Sequence, residues 1–258
     1  MNQLPIVGGT PVVMPKEPLV LGRTFPVMEV FGPTVQGEGV VAGLPTYFVR
    51  FGLCDYRCSW CDSMHAVEPA SVKANAEKLT AHQIVGRIKA LDAGPEWVTF
   101  SGGNPAVHDL GELVKLFQGQ GIRVAVETQG SKWRSWLADV NCLTISPKPP
   151  SSGMAEKVEA DLEGFMYEAS LARPNHWQDC LKVVVFDDED LDFAARVFHR
   201  FPTWPRFLSC GTVIDESLSD LANRYAWLLG RIAHDQRFAQ ARAFPQLHVV
   251  AWGHLKGV

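Results

Sequence analysis

Eight short apolar runs limit what this chain can fold into more than anything else in it. They are FPVMEVF (25–31), TYFVRFG (46–52), WVTFS (97–101), IRVAVE (122–127), CLTIS (142–146), LKVVVF (181–186), RFLSC (206–210) and QLHVVAW (246–252). Several are β-branched and almost unbroken, as expected of strands covered on both faces. Helical spacing falls between them. Thr80 is placed to cap a helix carrying Ile84, Val85, Ile88 and Leu91, and Asp109 to cap one carrying Leu113, Val114 and Phe117. Further helices are predicted near 154–171, near 188–199 from Asp188, and near 217–240 through Leu218, Leu221, Tyr225, Leu228 and Ile232. Strands alternating with helices predict an α/β fold on a parallel sheet, with ligands gathered at the C-terminal strand ends. The unusual loops GLCDYRC, GGNP, TQGS and PKPP follow the second to fifth runs and so collect at that one edge.

With 258 residues, 47% of them hydrophobic, the chain can bury a sizeable core of its own. A net charge of −4 with no basic stripe speaks against a nucleic-acid partner. No apolar run approaches the ~18 residues of a membrane span. Residues 1–24 lack the charged and apolar regions of a signal peptide, and Pro5, Pro11, Pro15 and Pro18 predict an extended or disordered lead-in. The catalytic domain is then expected over 25–258.

The stretch CDYRCSWCDSMH (54–65) holds Cys54, Cys58, Cys61 and His65, while Cys142, Cys180 and Cys210 are scattered in apolar runs. That pattern is not a secreted disulfide framework, and it points to thiols kept for ligation in a reducing cytoplasm. Three thiolates at C-x3-C-x2-C can bind three irons of a cubane and leave the fourth open to a small molecule. The same cysteines with His65 can instead form a Cys3His zinc site in a non-enzymatic interaction domain. Structural zinc normally staples a small domain, and this chain has a core of its own.

Trp60 before the last cysteine and the glycine-rich SGGNP (101–105) resemble the radical S-adenosylmethionine (SAM) enzymes. More specifically, TVQGEG (34–39), YFVRFGLCDYRCSWCDS (47–63), SGGNPA (101–106), VETQGS (126–131), SPKPP (146–150) and QLHVVAWG near the C-terminus resemble the 7-carboxy-7-deazaguanine synthases. The resemblance runs from about Phe25 to the end of the chain. A glycyl-radical activase would share the cysteines but has no reason to carry QGEG and Arg50.

The resemblance implies a partial parallel (β/α) barrel, a [4Fe–4S] cluster, SAM and Mg²⁺. It also implies a homodimer and an external one-electron donor such as a flavodoxin. The implied reaction is a radical ring contraction of 6-carboxy-5,6,7,8-tetrahydropterin to 7-carboxy-7-deazaguanine with release of ammonia, in queuosine and 7-deazapurine biosynthesis. Residue by residue, Cys54, Cys58 and Cys61 are the expected cluster ligands. Trp60, Cys61, Asp62, Gly103, Ser146, Pro147 and Lys148 are expected to meet SAM, with Gly102 and Gly103 admitting its methionine end. Val35, Gln36, Gly37, Glu38, Arg50 and Ser101 are expected to read the pterin, Arg50 through its carboxylate. Two departures stand out. Ser63 replaces the family's magnesium-binding threonine but keeps a hydroxyl oxygen. Asn104 stands where many radical SAM enzymes have a glutamate for the SAM ammonium, so that contact is expected to be weaker or supplied elsewhere. His248 is expected on a late strand near the same edge.

Overall fold

Residue pattern and crossover length together decide the sheet. In the computed structural model, which describes residues 22–175, 177–255 and 257, β1 (Thr24–Val35) and β2 (Pro45–Phe51) pair antiparallel. Only residues 36–44 join them, too few for the helical crossover a parallel pair needs. Gln36 N donates to Leu44 O and Gly43 N to Gln36 O, closing the connection as a hairpin. The predicted parallel sheet thus carries an antiparallel hairpin at this end. The first 21 residues of the predicted lead-in lie outside the described residues.

Two short helices, α1 (Met64–Val67) and α2 (Pro69–Asn75), follow the cysteine loop and lead to β3 (Glu77–Thr80). The chain then alternates as its apolar runs require: α3 (Ala81–Lys89), β4 (Trp97–Gly102), α4 (Gly111–Gln118), β5 (Arg123–Thr128) and β6 (Cys142–Ile145). Next come α5 (Ala155–Ala172), β7 (Cys180–Val185), α6 (Asp188–Arg200), β8 (Arg206–Cys210), α7 (Leu218–Ala233), β9 (Ala241–Phe244) and α8 (Leu247–Trp252). Among the described residues the nine strands form one sheet in the order β3-β1-β2-β4-β5-β6-β7-β8-β9. From β2 to β9 every neighbouring pair is parallel. The sheet does not close on itself, so the fold is a partial parallel barrel.

Thr80 caps α3 as predicted, in a reciprocal box with Gln83. Buried Ile84, Val85 and Ile88 of α3 and Leu113, Val114 and Phe117 of α4 join the core, together with Val98 and Phe100 of β4 and Val124 and Val126 of β5. Every residue of β6 and β7 is buried, matching their unbroken apolar runs.

Three local expectations are corrected. Asp109 does not cap α4: Leu110 precedes that helix, and the Asp109 carboxylate accepts from Arg23 Nη1 at 2.8 Å. Helix α6 starts at Asp188 as predicted, capped by Asp187, whose side chain accepts from Asp190 N. Helix α7 stops at Ala233 instead of reaching 240, because Asp235 starts a separate 3-10 turn over Gln236–Phe238 that leads into β9. QLHVVAW is helical rather than extended, so His248 sits in the first turn of α8, not on a strand.

Candidate active site

Parallel register sets the site out along the C-terminal strand ends. One cleft of about 1000 Å³ opens there. The cysteine loop supplies Cys54, Cys58, Trp60, Cys61, Asp62 and Ser63 to its wall; β4 and the turn after it supply Ser101, Gly102 and Gly103. Glu127, Thr128 and Gln129 arrive from the end of β5, Lys148 from the loop after β6, and Lys182, Val184 and Phe186 from β7. Glu38 comes from the β1–β2 connection, and Thr212 and Gln246 complete the lining.

The glycine turn allows this crowding. A Cβ on Gly102 would lie 2.1 Å from Phe51 O and one on Gly103 2.0 Å from Leu53 O, so only glycine lets β4 run on beside the cysteine loop. Gly103 N donates to Phe51 O and Asn104 N to Leu53 O, tying the two loops together just before Cys54.

All three thiols are free. Burial pushes each of them up, Cys61 to about 11, while Lys148 pulls in the opposite direction. Among the described residues no three His, Cys, Asp or Glu side chains converge on a point that could hold a single metal ion. A cubane makes a different demand, since its three thiolates meet three separate irons. His65 does not line the cleft, and its Nε2 lies 3.8 Å from Glu29 Oε1. Ser101 Oγ is buried without a hydrogen-bond partner, an orphan that a ligand in the cleft would satisfy. Three thiols on one wall and an unsatisfied hydroxyl nearby fit a cluster with a small molecule beside it.

The same cleft holds an ion-paired group of which the sequence reading named only Glu38. Lys182 is 2% exposed, and its Nζ binds Glu127 Oε1 and lies 3.0 Å from Glu38 Oε2. Ser209 Oγ donates to Glu38 Oε1 at 2.8 Å. Burial would raise the Glu38 carboxyl, but Lys182, His248 and the hydrogen bonds from Lys182 and Ser209 outweigh it and hold it at about 2. Lys182 is raised in turn, as the two carboxylates override the effect of burial. The signal was present: a lysine in an otherwise apolar, two-face-buried strand must have charged partners.

Of the expected site residues, Glu38, Ser101, Trp60, Asp62, Ser63, Gly103, Lys148 and the three cysteines share the cleft. Six lie outside its lining. Val35 ends β1, paired with Pro45. Gln36 turns its Oε1 back to accept from Glu38 N at 3.2 Å, and Gly37 O accepts from Leu247 N. Buried Ser146 accepts from Lys148 Nζ at 3.0 Å, beside buried Pro147. Arg50 reaches the rim only through Ser63: its Nε donates to Glu29 at 2.7 Å and its Nη1 to Ser63 Oγ at 2.9 Å. Ser63 Oγ donates in turn to Asp62 Oδ1. Asn104 is fully buried and does not line the cleft. Its amide nitrogen serves Asp55 and Ser131, and its oxygen accepts from Ala106 N and Thr128 Oγ1.

An open parallel sheet that brings a C-x3-C-x2-C loop against a glycine turn at its C-terminal edge defines the radical SAM enzymes. No family model matches the chain. Among curated proteins it is 40% identical over 248 residues to the 7-carboxy-7-deazaguanine synthase of Bacillus subtilis, covering 92% of this chain and 100% of that one. It is 38% identical over 243 residues to the enzyme of the same name from Bacillus cereus, covering 91% and 99%. The chain belongs to the 7-carboxy-7-deazaguanine synthase family. The crystal structure of QueE from Escherichia coli shares its fold, with a TM-score of 0.63, 21% identity, and 86% and 94% of the two chains covered.

Proposed function

We propose that this cleft carries out the ring contraction of 6-carboxy-5,6,7,8-tetrahydropterin to 7-carboxy-7-deazaguanine, with the thiol wall holding the cofactors and the Lys182 wall reading the pterin. The observation that carries this division is the cleft itself, lined both by the three free thiols and by the ion pairs of Lys182 with Glu38 and Glu127. A reduced [4Fe–4S] cluster with SAM bound supplies a 5′-deoxyadenosyl radical. Cys54, Cys58 and Cys61 would hold the cluster. Trp60 offers an aromatic face for adenine, with Lys148 Nζ 6.0 Å from its ring centre and placed for the SAM carboxylate. Asp62 and Gly103 complete the SAM side, with Ser146 and Pro147 setting Lys148. On the other wall, Glu38 can accept from the amino and amide N–H groups of a pterin edge, and Ser101 can bond the ring. Val35, Gln36 and Gly37 act by shaping the loop that presents Glu38. Anaerobic reconstitution, incubation with SAM, reductant and the carboxypterin, and mass analysis test the reading. Cleaved SAM without the deazapurine would refute it.

Arg50 is the proposed clamp for the pterin carboxylate, released from Ser63 to do so. Arg50→Lys should lower kcat/KM roughly 30- to 1000-fold, because a point charge cannot reproduce a planar two-pronged contact. Iron content and SAM cleavage without substrate should stay normal. If activity falls only in proportion to folded protein, the arginine serves Glu29 alone.

Mg²⁺ is proposed at Ser63, whose Oγ and the neighbouring Asp62 carboxylate give adjacent oxygen donors. Arg50 Nη1 must then give way. Ser63→Ala should need more Mg²⁺ for turnover while keeping its cluster, and an unchanged magnesium titration would remove the serine from the site. Among the described residues no helix is long and apolar enough to cross a membrane; a cytoplasmic homodimer served by a flavodoxin-like donor completes the proposal. Sedimentation and an assay driven by reduced flavodoxin test the last two points.

A further inference from the structure

Trp60 is not held by its own loop alone. Its indole N–H donates to Ser151 Oγ at 3.0 Å, and that hydroxyl donates to Asp190 Oδ2 at 2.7 Å. An indole N–H can only donate and a carboxylate can only accept, so the serine proton has one direction to point and the chain has one polarity. Asp190 is fully buried at the start of α6, a helix that Asp187 already caps. Its carboxylate also accepts from Ser151 N and from Phe186 N, both at 3.0 Å. Phe186 lies against Trp60 with ring centres 5.4 Å apart, and both rings line the cleft. One buried carboxylate therefore fixes two neighbouring aromatic walls, one through a serine hydroxyl and the other through the backbone.

We infer that Ser151 and Asp190 are positioning residues for the nucleoside end of SAM, setting the face of Trp60 beside Phe186 before the cofactor arrives. The inference rests on the reading that Trp60 meets adenine. Preorganised rings bind without first having to be ordered, so loss of the relay should appear as lost affinity and not as a slower chemical step.

Ser151→Ala removes the hydroxyl and leaves Asp190 its two backbone donors. On reconstituted protein, the Kd for S-adenosylhomocysteine measured by calorimetry, and the KM for SAM, should rise roughly five- to thirtyfold. The kcat at saturating SAM should stay within about threefold, with iron content and Tm unchanged. Asp190→Asn should move affinity in the same direction. Trp60→Phe keeps an aromatic face but loses the N–H; its SAM affinity should fall at least as far as that of Ser151→Ala, and adding Ser151→Ala to it should cost no further affinity. Wild-type affinity in Ser151→Ala, with affinity lost in Trp60→Ala, overturns the inference and leaves the adenine reading standing. Wild-type affinity in Trp60→Ala overturns that reading and the inference with it. If Asp190→Asn loses Tm and iron while Ser151→Ala is silent, Asp190 only fastens α6 and the inference fails.

Discussion

Cys54→Ala, Cys58→Ala and Cys61→Ala proteins should each leave anaerobic reconstitution without a stable cluster and without any SAM cleavage. On the proposed assignment each thiolate is one of the three protein bonds to the cubane, and none of the other described cysteines is placed to replace it. His65 is turned to Glu29, and the remaining cysteines, Cys142, Cys180 and Cys210, are buried within β6, β7 and β8. Replacing any of those three by alanine should cost only packing, about 1–2 kcal/mol, and keep both iron and activity. Iron and sulfide content beside 5′-deoxyadenosine formation decides the matter. A cluster retained in Cys58→Ala but lost in Cys142→Ala would overturn the ligand assignment.

Lys182→Met should lower kcat/KM at neutral pH by at least about 100-fold and change its pH dependence. Methionine fills much of the space but leaves two half-buried carboxylates without their shared cation, at a cost of up to about 3–5 kcal/mol when both are charged. In the native protein Glu38 is held at about 2. Its contribution to stability is therefore complete above the unfolded value of about 4.3 and is lost only as pH falls through the folded value. Without Lys182 burial dominates and the Glu38 carboxyl rises above that unfolded value. The sign then reverses. Stability should fall as pH rises through the window between the unfolded and the new folded values, while activity recovers as Glu38 ionises. Opposite trends in Tm and kcat/KM over one pH range are the signature, read by melting and rate profiles on the same preparation. A wild-type profile would mean that Lys182 and Glu38 do not act together.

The sheet was legible because parallel strands buried on both faces leave unbroken apolar runs: RFLSC coincides with β8, and LKVVVF is β7 shifted by one residue. The thiol wall was legible because its three cysteines are local in sequence. What stayed hidden depends on distant pairings. LKVVVF betrays a lysine but not its partners, which come from the β1–β2 connection and the end of β5. Asn104 looks like an open carbonyl donor until its amide is seen to be fully used by Asp55, Ser131, Ala106 and Thr128. Six residues of α8 are too few to separate helix from strand by period, although Pro245 before them and Gly253 after them bracket a short helix. The four-residue β9 is shorter still, and α7 was extended over the 3-10 turn that precedes it.

The wall proposed to read the pterin joins an early and a late part of the chain. Glu38 meets Ser209, 171 positions further along the chain, and Gly37 O accepts from Leu247 N. The thiol loop, by contrast, is fastened to Ser151, Ser152 and Asp190 in the middle. A chain leaving the ribosome can thus close around its cysteines well before the pterin wall has its last parts. Iron acquisition and substrate recognition become separate events in the protein's maturation. A nascent chain stalled before β8 should take up a cluster yet be blind to the pterin.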